Sequence, residues 1–148
     1  MSNAAVLHKI LHIKRQEKSD AQKNKQVATE QFEQVATILY QELRMKEKAE
    51  TDFEKAMDSS MTITKMKQQS LYIHRVNEKI MQLQHQVHIA RKQLQDKQAI
   101  LTDAYIEVKK IEKLIELRED EQKFIEKKLE SQMMDDISIR QFANANIN

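Results

Sequence analysis

His8 and His12 stand four residues apart, and His85 and His88 three apart. On a helix such spacings set both imidazoles of a pair on one face, where they can chelate a metal ion. A tetrahedral site needs further protein ligands, and no Cys, Asp or Glu lies within a turn of His85 or His88. The four histidines therefore read as solvent-facing residues beside a helix seam, and no metal is expected. Glu107, Glu112, Glu116, Glu119, Glu121 and Glu126 form a dense run of carboxylates. Carboxylate-bridged metal bundles draw on inward-pointing Glu-x-x-His repeats; the chain contains none, and these glutamates read as a solvated face.

Catalytic chemistry finds little else to use. There is no cysteine, so thiolate nucleophiles, thiolate zinc sites and disulfides are excluded. There is no glycine, so phosphate-cradling loops and nucleophile elbows are excluded too. The expectation is a protein that is not an enzyme and carries no cofactor. Residues 61–100 hold seven basic and two acidic groups, but these charges are spread along a helix without the dense basic run of a zipper-type nucleic-acid reader. An acidic protein surface accounts for them as well, and no nucleic-acid partner is expected. Tyr40 and Tyr72 fall beside seam positions. They either cover the core or form a partner-binding patch with Leu43 and Val76.

The elements that hold these residues follow from a second absence. The 148 residues include neither glycine nor proline, which together fill more than about a tenth of an ordinary chain. Without them, cheap reversals and kinks are scarce. Charged residues make up 32% and aromatics 5%, the balance of a coiled coil. Net charge is only +2 but alternates along the chain: +3 over residues 1–30, −3 over 31–60, +5 over 61–100 and −3 over 101–148. No apolar run approaches the roughly 18 residues needed to span a bilayer, and the start has no secretory signature. A cytoplasmic protein is expected.

Alternating steps of three and four from Ile73 reach Val76, Ile80, Leu83, Val87, Ala90, Leu94, Lys97, Leu101, Ala104, Val108, Ile111, Ile115, Arg118, Gln122, Ile125 and Leu129. Only Lys97, Arg118 and Gln122 interrupt the apolar series, which marks a coiled-coil helix. The first half is less regular. Leu7 and Leu11 lead into a polar stretch from Lys14 to Gln26, after which Ala28, Phe32, Val35, Leu39 and Leu43 resume the stripe. Two successive steps of four ending at Leu43 predict a slip in the heptad and a locally relaxed supercoil. Between the halves, Asp58 to Thr64 is the one cluster of turn and cap formers, with Thr62 or Ser60 placed to cap the second helix.

The expected fold is all-α: an antiparallel two-helix coiled-coil hairpin forming a single domain. Helix 1 covers about residues 4–57, the turn about 58–62 and helix 2 about 63–133. A tail from about 134 to 148 follows, with residues 144–148 expected to be disordered. Residue i on helix 1 should face roughly residue 120 − i on helix 2. Helix 2 therefore runs past its partner beyond about residue 118, carrying Phe124, Ile125, Leu129, Met133 and Met134 into solvent or toward a partner.

Three segments resemble the flagellar export protein family FliJ. Ala5 to Lys14 is similar to that family's opening F-x-F-x-K-L-L-x-L-K. Phe32-Glu33-Gln34-Val35-Ala36-Thr37-Ile38-Leu39-Tyr40 is similar to its F-E-x-V-A-x-x-L-Y. Met134-Asp135-Asp136-Ile137-Ser138-Ile139-Arg140-Gln141-Phe142 is similar to its C-terminal M-D-D-I-S-I-K-Q-F. Gln69, Tyr72, Ile73, Val76 and Ile80 follow the family's Q-Q-F-[IV]-x-x-L-x-x-x-I, with Tyr72 at the Phe position and Val76 at the Leu position.

The resemblance implies a non-enzymatic stalk, similar to the central stalk of rotary ATPases, within the flagellar type III export apparatus. It would insert into a hexameric FliI-like export ATPase, promote assembly of that ring, and link it to a FlhA-like export gate at the inner face of the cell membrane. Export chaperones are further candidate partners, and the free protein is expected to be a monomeric hairpin. Carried onto this chain, Arg118, Phe124, Ile125 and Leu129 would face the ATPase ring and Tyr40, Leu43, Tyr72 and Val76 the gate. The rival reading is a generic cytoplasmic coiled-coil scaffold that pairs with a partner helix through residues 118–134.

Overall fold

The computed structural model describes residues 3–147 and contains two helices, α1 (Asn3–Asp58) and α2 (Ile63–Ile147). The fold is all-α, an antiparallel two-helix coiled-coil hairpin whose second helix is the longer. Both helices are rich in Ala, Leu, Lys, Glu, Gln and Met, residues that lose little freedom in a helix. Three threonines within α1 turn their hydroxyls onto the helix itself. Thr29 donates to the Lys25 carbonyl at 2.9 Å, Thr37 to Glu33 at 2.7 Å and Thr51 to Glu47 at 2.9 Å, so these β-branched polar residues sit in the helix without an unpaired hydroxyl.

Clustering of backbone contacts divides the chain into two compact units, Ser19–Asp103 and Met1–Lys18 with Ala104–Asn148. The first contains the turn. Ser59 closes α1, its N–H donating to the Ala56 carbonyl at 3.3 Å and its hydroxyl to the Lys55 carbonyl at 3.4 Å. Ser60 then takes φ 28°, the left-handed conformation for which glycine is the usual choice. Thr62 caps α2: its Oγ1 accepts the Lys65 N–H at 3.3 Å, and its carbonyl accepts the Met66 N–H at 3.0 Å.

On α2 of this unit Val76, Ile80, Leu83, Val87 and Ala90 are buried. Opposite them on α1, Ala21, Ala28 and Glu42 are buried, and Phe32, Val35 and Leu39 are half-buried. Two pairs fix the register: Glu42 with Lys79, and Phe32 with Arg91, whose guanidinium carbon lies 5.8 Å from the ring centre. Their residue numbers sum to 121 and 123, close to the expected 120.

The heptad of α1 does not slip. Its inward positions run Leu7, Leu11, Lys14, Lys18, Ala21, Lys25, Ala28, Phe32, Val35, Leu39, Glu42, Lys46, Ala49, Phe53 and Ala56, alternating steps of four and three throughout. Leu43, expected in the stripe, is 41% exposed, and Glu42 occupies the inner position instead. Lys79 Nζ lies 2.8 Å from Glu42 Oε1. That partner makes the buried carboxylate tolerable and removes any need to rotate the helix toward Leu43.

In the second unit Leu7 and Leu11 of α1 pack with Val108 of α2, which is only 2% exposed, and with half-buried Ala104, Ile111 and Ile115. Arg15 meets Glu112 at 3.7 Å, and Lys18 Nζ stands 5.0 Å from the Tyr105 ring centre. The sums, 127 and 123, again indicate antiparallel pairing. Lys14 and Lys18 are half-buried at inward positions, their stems lying along the seam while their ammonium groups reach Glu17 and Tyr105. Glu116 and every residue after it through 146 is exposed. α2 nevertheless stays helical to Ile147, beyond residue 133 where the apolar steps suggested its end, and residues 144–147 are helical where disorder was expected. Helix formers and the absence of glycine and proline sustain it; Asn148 lies outside the described residues.

Two predictions follow from the turn and the seam. Ser60→Gly should raise unfolding stability by about 0.5–1 kcal/mol, and Ser60→Val should lower it by more, read as shifts of the urea midpoint. Lys79→Ala should cost about 1 kcal/mol by stranding the Glu42 carboxylate, whereas Glu42→Leu should leave stability unchanged or raise it. Thermal unfolding of the two variants checks the sign.

Candidate partner-binding surfaces

The residues proposed to meet a partner near the turn do not form one patch. Tyr40 and Leu43 stand three apart and exposed on α1, with Arg44 lying 5.8 Å from the Tyr40 ring centre. Tyr72, 46% exposed, precedes the seam residue Ile73, whereas Leu43 follows the seam residue Glu42. In an antiparallel pair, flanks on the two sides of the inward positions look in opposite directions. Tyr72 therefore faces away from the Tyr40–Leu43 side. Val76 is a seam residue at 6% exposure. It supports Ile73 and the helix pairing and offers no surface to a partner, because α1 covers it.

Around this part of the hairpin the seam is thin. From residue 43 to residue 75 no side chain reaches the buried class, while Met45, Met57, Ile63, Leu71 and Tyr72 are exposed. Gln69 holds its Oε1 buried without a hydrogen-bond partner. Such a region repacks at low cost, and its methionines suit irregular contacts.

The other surface is the end of α2 beyond its partner helix. Arg118, Phe124, Ile125 and Leu129 are all exposed there, with Phe124 at 68%. Arg118 and Gln122 line a groove of about 870 Å³ with Asn3, Leu7, Ile115 and Ile125, where α1 begins and the seam opens. Farther along, Met133, Met134, Ile137, Ile139 and Phe142 are exposed as well. At about 100° per residue, measured from Ile125, Leu129, Met133 and Ile137 fall near 40°, 80° and 120°. Met134 falls at about 180°, Phe124 and Phe142 at about 260°, and Ile139 at about 320°. Apolar side chains thus project from every side of this helix, unlike the single inward stripe that precedes it.

Sequence reasoning overlooked Ile137, Ile139 and Phe142 as surface because residues after 133 were set aside as tail. It overlooked Glu42 and Lys79 because only apolar residues were counted as inward; a strict three-four count carried through the polar positions finds Glu42. Among the described residues no three of His, Cys, Asp or Glu converge. His8 lines the groove at the start of α1, and His74 pairs with Glu78 at 3.2 Å. No helix among the described residues is long and apolar enough to cross a membrane.

Comparison with known proteins bears on these surfaces over almost the whole chain. No solved structure matches. A protein of Bacillus subtilis (strain 168) named "Flagellar FliJ protein" is 36% identical over 134 residues, covering 90% of this chain and 91% of its own. The family described as "Flagellar FliJ protein" matches residues 3–146, so the paired helices, the turn and the exposed end of α2 all fall within it, and the chain belongs to the flagellar FliJ family.

Proposed function

We propose that this chain is a non-enzymatic stalk and adaptor of the flagellar protein export apparatus, held at one end by the export ATPase ring and contacting the export gate near the turn. The observation that carries the reading is the end of α2. A helix with apolar side chains on every side suits an environment that surrounds it, as the inside of a ring does. A single partner helix covers one face only, which weighs against the rival scaffold pairing through residues 118–134. Family membership supplies the class of apparatus, and Arg118, Phe124, Ile125 and Leu129 are the contacts assigned to the ring.

Near the turn, Tyr40, Leu43 and Tyr72 are the contacts assigned to the gate, with Val76 holding Ile73 and Tyr72 in place from beneath. The thin seam there lets both flanks adjust to a gate surface. Coupling then requires that a partner state at one end alter the contact at the other, a free energy shared between two distinct sites. Promotion of ring assembly follows from the same geometry, because an end that contacts several subunits at once favours their association.

The test uses the full chain with a purified export ATPase and a purified gate cytoplasmic domain. The chain is expected to sediment as a monomer, to stimulate hydrolysis and to increase the fraction of ATPase in rings. Ile125→Glu with Leu129→Glu should weaken ATPase binding about tenfold or more while leaving gate binding intact. Tyr40→Ala with Tyr72→Ala should do the reverse. Both pairs are exposed, so unfolding curves should change little. Loss of both interactions from either pair, or of neither, counts against the division between ends.

A further inference from the structure

Between Tyr105 and Leu117, α2 carries a second apolar stripe that the helix pairing leaves uncovered. Ile106, Leu114 and Leu117 are exposed, and with Tyr105 they line a shallow groove of about 520 Å³ whose remaining walls are Lys109, Lys110 and Lys113. At about 100° per residue from Ile106, Leu117 lies near 20°, Lys110 near 40°, Lys113 near 340° and Leu114 near 80°. The inward residues Ala104, Val108, Ile111 and Ile115 cluster around 140–200° at the same spacing. The stripe is therefore on the far side of α2 from the seam.

Charge is sorted across this stretch of the helix. The three lysines flank the stripe, whereas Glu107, Glu112 and Glu116 lie about 80–120° away from it. Glu107 and Glu112 are half-buried toward the seam. Lys110 holds Glu107 at 3.2 Å, Lys113 holds Glu116 at 3.6 Å and Lys109 holds Glu112 at 3.6 Å. Exposed pairs of this kind contribute about 0–1 kcal/mol and exchange readily for a better acceptor. Tyr105 is fixed between two cations, Lys18 at 5.0 Å and Lys109 at 5.5 Å, and forms a rigid wall of the groove.

We propose that the outer face of α2 from Tyr105 to Leu117 is a docking surface for an acidic amphipathic helix of a partner protein, laid against Ile106, Leu114 and Leu117 with its carboxylates toward Lys109, Lys110 and Lys113. An apolar stripe flanked by Asp or Glu satisfies both halves of this surface at once. A second copy presents the same three lysines and is repelled. An anionic bilayer is disfavoured because residues 101–148 carry eight basic against eleven acidic groups. The surface is independent of the ring and gate contacts assigned above.

The test titrates the full chain, by fluorescence anisotropy, into two labelled helical peptides of about three heptads that share one leucine stripe and differ only in Glu or Lys at its flanks. The Glu peptide is expected to bind, more weakly at high salt, and the Lys peptide to bind at least about tenfold less tightly. Ile106→Ser with Leu117→Ser should abolish binding, and Lys109→Glu with Lys110→Glu and Lys113→Glu should reverse the preference between peptides. Circular dichroism and urea midpoints of both variants are expected to match the parent, since every substituted residue is exposed. Equal binding of both peptides, no binding of either, or unaltered binding by the variants overturns the proposal. So does binding to phosphatidylglycerol vesicles in place of the Glu peptide, or a self-association that Ile106→Ser with Leu117→Ser removes.

Discussion

The alternation of three- and four-residue steps along both helices is the constraint on which everything else rests. Two helices without a sheet or a third element bury only the line where they meet, so each inward position is a large share of the available core. Where that line is well filled, at Leu7, Leu11 and Val108 in one unit and at Val76 through Ala90 in the other, the pairing is firm. Polar residues also occupy it, and each is provided for. Lys14 and Lys18 lay their stems inward and send their charges out, and Glu42 is met by Lys79. A charged residue in a seam weakens the pairing but penalises every register in which it loses its partner.

The same constraint explains which parts of the fold could be read without coordinates. In α2 every position of the Ile73 series through Ile115 is turned toward α1, because apolar residues fill nearly all of it and pattern and packing coincide. In α1 the two diverge. Lysines stand at four inward positions and glutamate at one, so a count of apolar residues drifted to Leu43 when the helix itself kept its step to Glu42. The turn was legible because Ser60 and Thr62 supply chemistry that nothing else in the chain offers. The candidate surfaces were less so. Exposure of Tyr40 and Tyr72 agrees with a surface role, but Val76 belongs to the seam by its spacing from Ile73. The stripe at Ile106, Leu114 and Leu117 lies off the seam periodicity and is visible only once the seam face is known.

Two kinds of apolar exposure are present, and they differ in what they can bind. The stripe on the outer face of α2 is narrow, one-sided and fringed by lysines, which is the form of a groove for one helix. The end of α2 is apolar around its whole circumference, which is the form of a part that is enclosed. One chain therefore supports contacts of different geometry without a loop, a pocket wall or a second domain. The cost is that neither surface is held by anything except the helix that carries it, so its shape is as defined as that helix and no more.

The thin seam between residues 43 and 75 also governs how the hairpin forms. A hairpin with a tight, well-filled turn can zip from its tip, each new layer adding a small loop to a structure already made. Here the Ser60 turn is strained, and no side chain is buried until Glu42 and Val76. The first layer that holds must therefore close a loop of 33 residues, 43 through 75, before anything stabilises it. The entropy of that closure grows only slowly with loop length. It falls, however, on a single early step, so association begins in the middle of the helices and the turn is ordered afterwards by the strands of helix it connects.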